Sequence, residues 1–254
     1  MRIGVFGNHA GLAQRLSAAG VTSLGTDAPG GGPVERIERL EDFFDALEHP
    51  RLFVLDLPSG AEVDRVIDAS YVVMEPGDVV VDASPSYWGD TLRRFRRMRH
   101  RSLFYVDLAH LPDRGTVLVA GDRRGTDLAL PLAERLAGPG GAVRCGEAGA
   151  AHFARMVHAG VAMAIEHAVS EATQLLEAYP NEADPTVIVD RLWPEREAAS
   201  PAAAWLLEDA VRLHAVIPLL AQSVMLEMGA ALDDHRSVEV PPRVGGFVHP
   251  DDVL

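Results

Sequence analysis

Three residues in the second half of the chain have the types and spacing for anion binding and proton transfer: Arg155, His158 and Glu166. On a helix, positions three apart are neighbours and a position two turns further on returns to roughly the same side, so the three share a face. A guanidinium there would hold a carboxylate or phosphate, and an imidazole beside it would titrate near neutrality. The same triplet also reads as a packed polar cluster in a domain interface, and the residue types leave both readings open.

Other chemistry is narrowed by composition. The 254 residues include no lysine, so all 23 basic residues other than histidine are arginine. Arginine keeps its proton at any working pH, which excludes a lysine general base and a Schiff base. The single cysteine, Cys145, cannot form an internal disulfide and leaves too few thiolates for a zinc or iron–sulfur site. No metal is expected. A formal charge of −14 repels phosphate backbones, so nucleic acid is not an expected partner. Met1–Phe6 runs straight into a strand pattern, which predicts neither a signal peptide nor a membrane anchor, and a cytoplasmic protein.

The elements that would position these residues fall into two halves. Up to about Cys145, short apolar runs alternate with helical ones, the pattern of a parallel sheet covered on both faces. Strands are expected at Ile3–Phe6, Val21–Leu24, Leu52–Leu57, Val79–Asp82, Leu103–Val106 and Val117–Ala120, and helices at Ala10–Ala19, near Leu40–Glu48 and at Ala61–Met74. The glycine run in 28–33 lacks the Gly-Lys-Ser/Thr end of a phosphate loop and reads as a connection. From Ala150 to Tyr179 the helix period runs about thirty residues without a break, suggesting the central helix of an all-helical domain. Further helices are expected at Thr186–Leu192, Ala202–His214 and Leu219–Leu232. These patterns divide the chain into 1–147, 148–232 and an extended tail, 233–254.

In an acidic chain the run Arg93-Arg94-Phe95-Arg96-Arg97-Met98-Arg99-His100-Arg101 is unusual. With Leu92, Phe95 and Met98 as the apolar face, its arginines are expected in solvent, either as a charged helix face or as an anion or partner site.

Spaced motifs from Leu57 to Leu176 carry a resemblance: Leu57-Pro58-Ser59-Gly60, Glu75-Pro76-Gly77-Asp78 with Val79–Asp82, and Ser86-Tyr87-Trp88-Gly89-Asp90-Thr91. Phe104-Tyr105-Val106-Asp107, Val119-Ala120-Gly121-Asp122 and Cys145-Gly146-x-x-Gly149-Ala150-x-His152-Phe153-x-x-Met156-Val157-His158-x-Gly160 continue it. Together they resemble the 6-phosphogluconate dehydrogenase family, especially its short form, and more distantly the β-hydroxyacid dehydrogenases. The resemblance implies a Rossmann-type, doubly wound parallel sheet that binds NAD or NADP, followed by an all-α C-terminal domain built on one long helix, in a homodimer. It places Gly7, Asp27, Leu57 and Pro58 at the cofactor.

The same comparison marks departures. The three glycine positions of a dinucleotide turn fall on Gly7, His9 and Leu12, so an imidazole lies where the pyrophosphate would sit. Asp27 at the ribose position would suit a 2′-hydroxyl and repel a 2′-phosphate, or simply begins a loop. Asp56 replaces an apolar residue and would bring a carboxylate near the cofactor cleft. The family's Ser-Gly-Gly loop falls on Leu111-Pro112-Asp113. Its catalytic lysine, asparagine and glutamate fall on Arg155, Ala159 and Ala162, and a phosphate-binding arginine near Ala203. Standard oxidative decarboxylation is therefore not expected. Three readings stand: a repurposed enzyme acting on a small acidic metabolite, with Arg155 as anchor and His158 as acid–base group; a non-catalytic binding or assembly protein, that is, a pseudoenzyme; and an NAD(P)-dependent reductase with altered catalytic residues.

Overall fold

The computed structural model describes residues 2–7, 11–25, 34–36, 40–58, 60–111, 114–177, 184–193, 204–212 and 214–233. Eight strands form one sheet: β1 (Arg2–Phe6), β2 (Thr22–Gly25), β3 (Val34–Arg36), β4 (Leu52–Leu55), β5 (Val79–Asp82), β6 (Phe104–Leu111), β7 (Thr116–Gly121) and β8 (Gly141–Gly146). Their order is β3-β2-β1-β4-β5-β6-β7-β8. All pairings are parallel except the β6–β7 hairpin, which is antiparallel and makes the sheet mixed. The helices are α1 (Leu12–Ala18), α2 (Leu40–Asp45), α3 (Gly60–Ser70), α4 (Trp88–Arg99), α5 (Arg123–Leu136), α6 (Ala150–Glu177), α7 (Pro185–Leu192), α8 (Ala204–Arg212) and α9 (Pro218–Asp233).

Continuous apolar runs in the strands are what a sheet buried on both faces requires, because successive side chains point to opposite sides. Ile3, Val5, Val79 and Val81 join Leu12 and Leu16 of α1 and Ala129, Leu132 and Ala133 of α5 in one core. Phe6, Phe53 and Val80 point the other way, toward Phe44 of α2, Val63 and Ile67 of α3 and Met98 of α4. The six strands read from sequence are present, five with small shifts of boundary and the fifth in chain order, expected at Leu103–Val106, running on to Leu111 in its hairpin with β7. Two more, β3 and β8, carry no apolar run long enough to stand out. Helix α3 stops at Ser70, short of the expected Met74, and α1 begins at Leu12 because Gly11 takes a left-handed conformation (φ 67°) at its N-cap.

The described residues divide into two compact units within α6, between Phe153 and Ala154. Helix α6 runs 28 residues in all, and in the second unit Gly160 gives α8 its approach, since a Cβ there would lie 2.4 Å from Leu206 Cδ2. The expected tail lies outside the described residues apart from Asp233. No helix among the described residues is long and apolar enough to cross a membrane.

Candidate functional site

In open α/β sheets, ligands bind beyond the carboxyl ends of the strands where the order reverses. Here that point lies between β1 and β4, whose ends pair as Phe6 with Leu55. Gly7 follows β1 with φ 78°, and a Cβ on it would lie 2.5 Å from the Asp56 carbonyl oxygen and 2.7 Å from Leu57 Cδ2. Only glycine fits such a left-handed, closely approached position. Opposite it, the Asp56 carboxylate, 1% exposed, accepts the Leu12 backbone N–H at 3.1 Å. The N-terminus of α1 is the anion seat of this fold, where orphan N–H groups and the helix dipole favour negative charge. A carboxylate of the chain's own already occupies it, so a dinucleotide pyrophosphate would meet like charge there, and the described residues of the seat fit that group poorly.

Around this seat lie two residues that sequence reasoning did not single out. Arg15 on α1 is half-buried, its guanidinium pushed down from its ordinary value by burial while the Asp56 charge pulls it up. His110, near the end of β6, is pushed down by burial and by Arg15. Neither stands at a position of the resembling motifs, so nothing beyond residue type marks them in the sequence.

One strand further on, Asp82 ends β5 and is fully buried. Its Oδ2 accepts the hydroxyls of Ser86 and Tyr105, each at 2.7 Å, and its Oδ1 accepts the Ser84 amide at 3.0 Å. Burial would raise this carboxyl, but His152, Arg94 and the two hydroxyls outweigh it and hold it below the usual range. Arg94 is 1% exposed and donates to Asp64 at 2.9 Å, Ser86 at 3.0 Å and the Gly60 carbonyl at 2.8 Å. The expectation that the arginines of α4 all face solvent is therefore wrong for Arg94. Buried acceptors on α3 and β5 draw it inward, because an unpaired carboxylate there would cost far more than an arginine held by several bonds. His152 donates from Nε2 to the Asp82 carbonyl at 3.1 Å, and its Nδ1 lies 2.7 Å from the Thr91 hydroxyl. Ser86, part of one of the resembling motifs, is thus an internal strut.

Asp107, paired with Asp82 across β5 and β6, fixes the start of α6 by accepting the amides of Gly149, Ala151 and His152 at 2.8, 2.9 and 3.1 Å. Burial pushes its carboxyl up to about 7 against the pull of those three donors.

Among the remaining expected cofactor residues, Leu57 is buried and its amide donates to Ser84 Oγ at 3.1 Å, while Pro58 is exposed. Asp27 and His9 lie outside the described residues, as do Pro112, Asp113 and Ala203. In the helical unit, Arg155, His158 and Glu166 are all half-buried on α6. At about 1.5 Å rise per residue, Arg155 and Glu166 stand roughly 16 Å apart, so Arg155 and His158 can address one small group and Glu166 cannot share it. One Glu166 oxygen is buried without a hydrogen-bond partner among the described residues. Ala162 is buried and offers no proton.

No protein-family model matches the chain. It is 32% identical over 157 residues to a decarboxylating 6-phosphogluconate dehydrogenase of Bacillus licheniformis, covering 58% of this chain and 34% of that protein. It is 25% identical over 232 residues to the putative 6-phosphogluconate dehydrogenase YqeC of Bacillus subtilis, covering 79% and 78%. The chain is a divergent relative of the 6-phosphogluconate dehydrogenases. It spans about a third of the length of the Bacillus licheniformis enzyme and most of the length of YqeC. The Mycobacterium tuberculosis 3-hydroxyisobutyrate dehydrogenase solved with L-serine shares the fold, with a TM-score of 0.70 at 19% identity over 91% of this chain and 94% of that one. Gly149, His152, His158 and Gly160, which carry part of the resemblance, lie at and after the start of α6.

Proposed function

We propose that the chain is a repurposed dehydrogenase relative that binds a small acidic metabolite, with Arg155 as the anion anchor and His158 as the adjacent acid–base group, and that does not oxidatively decarboxylate 6-phosphogluconate. The observation that carries this reading is the Asp56 carboxylate on the N-terminus of α1, 3.1 Å from the Leu12 amide. A seat already neutralised from within disfavours the pyrophosphate of either dinucleotide, so NAD binds weakly, and NADP no better if Asp27 takes the ribose position that the resemblance assigns to it. On α6, arginine at the lysine position cannot take a hydroxyl proton and Ala162 cannot return one, which supports loss of both proton transfers.

The proposal includes a homodimer formed through the helical unit. Its support is a set of exposed apolar side chains there, with Val161 and Ile165 one turn apart on α6 and Leu219, Met225 and Leu226 on α9. The test of the functional reading is a thermal-shift series with phosphorylated sugar acids, small hydroxy acids, NAD and NADP on wild-type and Arg155→Gln protein. Stabilisation by an acidic metabolite that the variant loses is the expected result. Strong stabilisation by NADP with no response to any acid would overturn the proposal.

A further inference from the structure

We draw no further inference here: the strongest candidate, the half-open hollow between α4 and the exposed strand β8, with Phe95 and Cys145 in its wall, is an uncovered face whose Arg144 is already paired with Asp127, and nothing in the structure shows what covers it.

Discussion

Replacing Asp56 with asparagine removes one negative charge from the N-terminus of α1 while keeping a side-chain oxygen for the Leu12 amide, now 3.1 Å away. A pyrophosphate seated on the same helix end would lie roughly 5 Å from that carboxylate, and at an effective dielectric of about 20 each pair of unit charges costs roughly 3 kcal/mol. Salt and the openness of the crevice reduce this, so a gain in NADH affinity between about tenfold and a hundredfold is expected for Asp56→Asn. The same change gives up the favourable charge–dipole contact, roughly 0.3–1 kcal/mol, so the variant should melt slightly earlier without ligand and gain more when NADH is added. Calorimetric titration of NADH and NADPH into both proteins reads this directly. A folded Asp56→Asn protein with unchanged affinity for NADH would refute the argument that the internal carboxylate is what closes the seat.

Gly7→Ala should destabilise the first unit by several kcal/mol, of the order of 3, because its Cβ would lie 2.5 Å from the Asp56 carbonyl at a φ of 78°; denaturant unfolding checks this. Burial alone would raise the Asp64 carboxyl, but hydrogen bonds from Arg94 and Arg93 hold it below its usual range. Its contribution is therefore complete above its unfolded value near 3.9 and is lost as pH falls through the lower folded value, and melting curves should show an acid limb below about pH 4 that Asp64→Asn flattens. Light scattering after size exclusion should give a dimer mass, and Val161→Glu/Ile165→Glu on α6 should give a monomer; a monomeric wild type would contradict the homodimer.

The sheet was legible from sequence where strands are buried on both faces, because runs such as Val79–Val81 and Phe53–Leu55 must be apolar throughout. Strand β8 was not, since Val143, Arg144 and Cys145 are exposed and its pattern is that of a wet edge. Strand β3 is three residues long and two of them are charged, which no periodicity can reveal. The proposed placement of the family's catalytic lysine, asparagine and glutamate on Arg155, Ala159 and Ala162 rests on residue identity, and the unbroken helix fixes only the face that they share. Asp56 was visible as a misplaced carboxylate, but its capping of α1 depends on how β4 approaches Gly7. Arg94 illustrates the opposite limit: in a run of arginines, nothing local distinguishes the one that Asp64, Asp82 and the Gly60 carbonyl draw into the interior.

The proposed loss of 6-phosphogluconate oxidation is read from the appearance of NADH or NADPH absorbance with 6-phosphogluconate at saturating substrate and cofactor, for wild-type and Arg155→Lys protein. General acid–base groups contribute about 10²–10⁴-fold apiece, so with Ala162 and the Asp56-filled seat unchanged, both proteins should stay near background. Turnover by the wild type at ordinary enzyme rates would mean that Arg155 and Ala162 do not stand where the reaction's proton transfers occur, and would overturn the proposed function.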